Sequence, residues 1–248
     1  MMMPTVSSPR LTTMFRVLLG MQFARLRKSW RPYIVVSAVM PAGIVLLLHL
    51  MTPHMNVAER QDVISGAMLL SEAIASIVML SQYVAWLHVS RALDHYRVLP
   101  ISLEVLVLSL TGVYGLFAWP GIALIGIEGV LLDHLTLRFG AILIPLLLVT
   151  ALAMGAIGIV IGLLAPDEGI AGLLGNLVMM AILFLGMVPA VSSSRMPWLW
   201  ILPSTGSITI LRHSLFDQPA AVTTLWTGEL LYVTIAVSIA TYFIKRPS

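Results

Sequence analysis

Six apolar stretches, each long enough to cross a bilayer, occupy most of a 248-residue chain. They run from about Tyr33 to Met51, Ser65 to Val89, Leu103 to Leu131, Phe139 to Leu164, Ile170 to Val191 and Leu225 to Ile244. A helix needs about 20 mostly apolar residues to cross the hydrocarbon core. A backbone in lipid must satisfy its own hydrogen bonds, so only helices or closed barrels span. The short alternating segments of a barrel are missing, which leaves an all-α membrane protein of six transmembrane helices in one domain over residues 1–248. Composition agrees: 59% of residues are hydrophobic and 10% charged, against about a quarter charged in soluble domains.

The placement of charge sets orientation. Six basic residues precede the first stretch, Arg60 follows it, and Arg91 and Arg97 follow the second. Arg138 lies in the third gap, none in the fourth, Arg195 and Arg212 in the fifth, and Lys245 and Arg246 in the tail. With both termini cytoplasmic, ten basic residues lie inside and four outside, as the positive-inside rule requires. The expected location is the cell membrane. The net charge of +3 is small, and no nucleic-acid partner is expected.

Residues 10–31 are too polar to insert but carry a helical pattern. Leu11, Met14, Phe15, Leu18 and Met21 fall on one side, and Thr13, Arg16, Gly20, Arg27 and Arg31 on the other. That pattern predicts an amphipathic helix on the inner membrane surface. The second gap, His88 to Pro100, reads as a short cytoplasmic helix stopped by proline. The fifth gap, Ser192 to Thr224, is too apolar for a solvated loop, and its prolines and tryptophans predict two re-entrant or interfacial helices on the outer side. Gly158 and Gly162 form a GxxxG pair that favours close helix packing.

Catalytic signatures are absent. The sequence has no glycine-rich phosphate cradle, no His-Glu-x-x-His, no Gly-x-Ser-x-Gly, and no two histidines at i, i+4 spacing. No cofactor or metal is expected in this chain, and it contains no cysteine. Glu72 is the one carboxylate well inside a stretch, and at helical spacing it shares a face with Ser65, Ser76 and Tyr83. An ionisable group at that depth marks either a translocation path or subunit interface, or a helix fastener. Glu72, Ser76 and Tyr83 are the candidates for such a path. Glu128 and Glu229 fall near the outer ends of their stretches and read as interfacial.

Two segments carry a family resemblance. Arg97-Val98-Leu99-Pro100-Ile101-Ser102-Leu103-Glu104 is similar to the Pro-[Ile/Val]-Ser stretch of ABC-2 type transporter permeases. Trp200-Ile201-Leu202-Pro203, followed by Thr209 to Phe216, resembles the proline-plus-helix segment before their last span. The resemblance covers nearly the whole chain. It implies two permease copies, identical or paralogous, joined to two separate ABC ATPase subunits that bind ATP and Mg, with substrate exported between the permeases. By position, Arg91, Asp94 and Arg97, with Arg16 and Arg27 of the surface helix, would contact the ATPases. Where the family commonly has an acidic Gly-Thr-rich lead, this chain has Arg-Ala-Leu-Asp-His-Tyr. The expected cargo is hydrophobic or amphipathic: drug, peptide or lipid-like. The competing readings are an ion-coupled secondary carrier titrating Glu72 and an intramembrane enzyme. A carrier of the first kind usually shows repeat symmetry, which this chain lacks.

The topology is directly testable in a chain without cysteine. A cysteine introduced at His95 should react with an impermeant thiol reagent only from the cytoplasmic side. Reaction only from outside would overturn the topology.

Overall fold

The computed structural model describes residues 11–26, 30–98, 102–187, 203–218, 220 and 222–245. Their regular structure is entirely helical: α1 (Leu11–Leu26), α2 (Trp30–Met51), α3 (Val57–Val89), α4 (Ala92–Val98), α5 (Leu103–Leu131), α6 (Leu143–Leu164), α7 (Glu168–Met187), α8 (Pro203–Phe216) and α9 (Val222–Lys245). Five of these, α2, α3, α5, α6 and α9, are long and apolar enough to cross a membrane. The expected fifth span is α7, whose apolar part, Glu168–Phe184, is shorter than the other five.

α3 is the axis of the bundle. Its apolar window is 89% buried, against 28% for α2 and α9, so the latter two flank it. It begins at Val57, two turns before the apolar stretch in the sequence. Asn56 accepts from the Glu59 N–H and Glu59 reaches back to the Asn56 N–H, a reciprocal cap that starts the helix among polar residues. With 33 residues it is about 50 Å long, which exceeds a hydrocarbon core of about 30 Å. Its first turns therefore extend past the core at one end. α6 starts later than the apolar text implies, at Leu143, because Gly140 and its neighbours turn between Arg138 and Leu143.

A proline in α2 and a break in α5 free backbone carbonyls inside the bundle, and serines take them up. Pro41 lies within α2 and cannot donate to the Ser37 carbonyl. Ser71 Oγ of α3 donates to that carbonyl at 2.8 Å and lies 3.1 Å from the Ala118 carbonyl. α5 is broken between Leu116 and Trp119, just before Pro120, and Ser37 Oγ donates to the freed Phe117 carbonyl at 2.8 Å. Gly121 has no side chain at this crossing, where a Cβ would lie 2.8 Å from the Ser37 carbonyl.

Within α3, Ile74–Met79 is a π-helical turn, an extra residue that local periodicity does not announce. α6 and α7 approach it through glycines. A Cβ on Gly158 would lie 2.6 Å from the Ser76 carbonyl, and one on Gly175 would lie 3.2 Å from Val78 Cα. The GxxxG pair thus packs within the chain, since a Cβ on Gly162 would meet the Ser81 carbonyl at 2.5 Å.

α1 lies against the start of α5. Leu18 and Gln22 are buried, and Met14, Phe15 and Leu19 pack on the core, while Thr13, Arg16 and Gly20 are exposed. Met21 does not join the apolar face: it is 48% exposed, because the docked face runs through 14, 15, 18, 19 and 22. Lys245 at the end of α9 pairs with Glu104 at the start of α5 at 3.2 Å, so α1, α4 and the end of α9 share one end of the bundle. The opposite end holds Asp133 and α8. The fifth gap, expected to hold two outer helices, contains the helix α8; its earlier part, with Trp198 and Trp200, lies outside the described residues.

Gly158→Ala should destabilise the bundle by on the order of 1 to 3 kcal/mol, since the methyl meets backbone that cannot yield. Gly228→Ala, with nothing within 4 Å of the new Cβ, should be neutral or slightly stabilising. Thermal unfolding of both variants in detergent checks the contrast.

Candidate functional site

Glu72 sits near the middle of α3, 15 residues from its start at Val57. Glu72 and Ser76 are completely buried, and Ser76 Oγ donates to Glu72 Oε1 at 3.0 Å. The other oxygen, Oε2, has no hydrogen-bond partner among the described residues. Gly115 of α5 makes room for the carboxyl, since a Cβ there would lie 3.1 Å from Oε1 and 2.5 Å from Ala151 Cβ of α6. The carboxyl therefore sits where α3, α5 and α6 meet. The π-helical turn begins two residues later.

Tyr83 lies about three turns further along and joins an aromatic stack instead. Its ring is 5.7 Å from Tyr114 and 5.8 Å from Trp86, and Tyr114 in turn meets Tyr33 edge-on at 6.1 Å. The stack ties α2, α3 and α5 together. Ser65, on the expected stripe, is buried and donates to the Gln61 carbonyl of its own helix. Among the described residues, no three His, Asp, Glu or Cys side chains come together as a metal site would require.

A second buried carboxyl escapes the sequence pattern. Glu229 of α9 is 3% exposed and accepts from Ser207 Oγ of α8 at 3.0 Å; Ser207 also lies 2.9 Å from Thr150 Oγ1 of α6. Gly206 packs directly on the carboxyl. α8 is held on its other sides by Ser204 Oγ donating to the Ile182 carbonyl of α7 at 2.7 Å and by Arg212 pairing with Asp62 of α3 at 3.0 Å. Arg138 pairs with Asp217 just beyond it, and Gln218 donates to Gln61 at 2.8 Å. These partners come from α3, α6, α7 and α9, which is why Glu229 looks merely interfacial when α9 is read alone. At the same end, Asp133 Oδ1 lies 2.6 Å from Arg60 Nη1 and 2.9 Å from His49 Nδ1, joining α2, α3 and the α5–α6 loop.

The opposite end carries the expected contact residues. Arg91 is exposed in the turn between α3 and α4 with φ of 56°, a left-handed conformation that costs a residue other than glycine about 1 to 2 kcal/mol. Asp94 is exposed on α4, Arg16 is exposed on α1, and Arg97 lies on the backbone of α4. Arg27 and the side chain of Arg97 lie outside the described residues. Beside Arg91 a groove of about 450 Å³ opens, lined by His88, Val89 and the Leu163 to Pro166 turn.

The sequence that builds this bundle, with its surface helix, short α4 and clamped α8, matches a known family. The family model for ABC-2 type transporters covers residues 13–216, from the first turn of α1 to the end of α8. The chain belongs to the ABC-2 type transporter family. No curated protein is matched by it. Membership makes this ABC-2 protein a multi-pass membrane subunit of an ABC transporter and implies association with ABC ATPase partners.

In this ABC-2 chain the buried Glu229–Ser207 pair is expected to hold α8 against α9. Glu229→Leu should destabilise by on the order of 1 to 3 kcal/mol, and Glu229→Gln by less. A double-mutant cycle with Ser207→Ala, read by thermal unfolding, should give a coupling of about 0.5 to 1.5 kcal/mol.

Proposed function

We propose that this chain is the permease subunit of an ATP-driven exporter that moves a hydrophobic or amphipathic substrate, such as a drug, peptide or lipid-like molecule, out of the cell. The observation that carries the reading is the family match over residues 13–216, which takes in the surface helix, α4 and α8 together. In this reading α7 completes a sixth span, both termini lie in the cytoplasm, and the protein resides in the cell membrane as a pair of permease copies. Export against a gradient needs a coupled energy source, and separate ATPase subunits supply it by binding ATP and Mg. This chain is the non-catalytic partner.

The α4 end is the docking surface for those subunits. Arg16, Arg91 and Asp94 are exposed there, and the mixture of charges suits a protein partner better than an anionic lipid surface, which Asp94 would repel. Arg97 and Arg27 are assigned to the same contact by their place in the sequence. The strain held at Arg91 supports a functional role for that turn. Glu72, with Ser76 and Tyr83, is assigned to the translocation machinery: a carboxyl beside a π-helical turn is costly to keep buried and sits where three helices would have to move.

Reversing charge at both Arg91 and Asp94 should release the ATPase or uncouple hydrolysis from transport while the helices still insert, as copurification and vesicle transport assays would read. Export in purified vesicles lacking any ATPase would sink the proposal. Glu72→Gln should lower the transport rate more than the expression level; an unchanged rate would leave Glu72 as a helix fastener only.

A further inference from the structure

α6 and α9 pack side by side, yet a groove of about 260 Å³ runs between them along the outside of the bundle. Ala156 of α6 and Ala236 of α9, 1% and 9% exposed, form its floor, because small side chains let the two helices meet there. Val160 and Ile161 stand on one side and Ile235 and Ile239 on the other. Tyr232, the one lining side chain with a polar atom, lies at the end furthest from α4.

The groove lies within the spans. On α9 it extends from Tyr232 to Ile239, about 10 Å at 1.5 Å per residue. On α6 it reaches Ile161, less than a turn before the helix ends at Leu164. It therefore occupies the half of the bilayer nearer α4, where one leaflet supplies about 15 Å of a hydrocarbon core of about 30 Å. Water does not suit it, since a buried water needs about two to four polar partners. The hydroxyls beside it attract none either: Thr234 and Ser238 are exposed on α9 but donate to carbonyls of their own helix at 2.8 and 2.7 Å. The molecule that surrounds the protein at this depth is lipid, and a straight acyl chain matches a narrow apolar trough that runs along the helices toward one leaflet.

The trough is built to hold its guest. Valine and isoleucine are stiff at χ1, so its walls are formed before a chain enters and little side-chain freedom is lost. Helices in lipid associate through close van der Waals contact, not by hiding apolar surface. α9 is fastened toward one end by Glu229 on Ser207 and at the other by buried Ala240 and Ile244 and the Lys245–Glu104 pair. The groove is the stretch between these fastenings, where α6 and α9 touch at the alanines and part above them.

We propose that this groove is a resident lipid site, which holds one acyl chain of a phospholipid from the leaflet at the α4 end and so completes the contact of α9 with α6. The inference goes beyond the permease reading and needs only a chain that spans the bilayer.

The protein is reconstituted in dioleoylphosphatidylcholine vesicles that contain a small fraction of the same lipid with a diazirine on one acyl chain. After irradiation the adducts are located by mass spectrometry. Adducts at Ile235 and Ile239 should exceed those at Thr234 and Ser238, which are exposed at the same depth outside the groove, by roughly fivefold or more. Val160→Phe and Ile161→Phe, each placing a ring in the groove from a half-buried position, should bring the two isoleucines down to the level of the controls. Either variant decides if the other fails to insert. Added phosphatidylcholine should also raise the unfolding midpoint of the wild type in detergent by more than that of the filled variants. Equal adducts inside and outside the groove would overturn the proposal, as would undiminished adducts in a folded filled variant. A disulfide between two copies of Ile235→Cys, formed by oxidant in the vesicles, would overturn it too by making the groove a contact between chains. None of these measurements involves transport or an ATPase, so their failure leaves the permease reading untouched.

Discussion

The carbonyl of Ser37 is where the bundle's main constraint becomes visible. Lipid offers no hydrogen bonds, so every backbone group a proline releases has to be taken up by protein. Pro41 releases the Ser37 carbonyl, and Ser71 of the central helix donates to it. The hydroxyl of Ser37 then donates to the Phe117 carbonyl, freed where α5 breaks ahead of Pro120. The proline-bearing α2 and the broken α5 are therefore joined to each other and to α3 through two serine side chains. Removing either hydroxyl would strand an acceptor in the core, which costs more than the bond itself contributes.

That arrangement requires close backbones, and glycine supplies the room. Gly121 lies at the serine crossing, Gly158 and Gly162 press α6 onto α3, and Gly172 and Gly175 do the same for α7. In lipid, helices gain little from burying apolar surface against one another, so close van der Waals contact and interhelical hydrogen bonds supply the association. The π-helical turn at Ile74–Met79 fits the same logic, because its displaced carbonyls face glycines.

Apolar length made the helical class and most span positions legible, since it depends only on residues close in sequence. The start of α3 was hidden because Glu59, Arg60, Gln61 and Asp62 look like a loop until their partners are known. The capping box with Asn56 was present in the text, and Asp133, Arg212 and Gln218 were not nearby in sequence. Glu72 was legible as a buried carboxyl sharing a face with Ser76, which donates to it. Glu229 was read as interfacial because only α8, 22 residues earlier, supplies the Ser207 that buries it. Met21 was placed on the apolar side of α1 by helical spacing, whereas the neighbouring helix selects the face and α5 takes the one through Leu18 and Gln22.

The two ends of the bundle are built on opposite principles, and the contrast bears on how such a protein can move. At one end α8 is pinned by Ser204, Ser207 and Arg212 to three different helices, and Asp133 gathers α2 and α3. At the other end α4 hangs on a short turn through a left-handed Arg91, with exposed charges and an adjoining groove. A force applied at α4 acts on α3 first, because the turn joins them directly. α3 touches α5, α6, α7 and α8 along its length, and it contains the π-helical turn and Glu72 at its centre. An irregular turn in the most buried helix is the place where a shift at one end would most readily change register before reaching the clamp at the other.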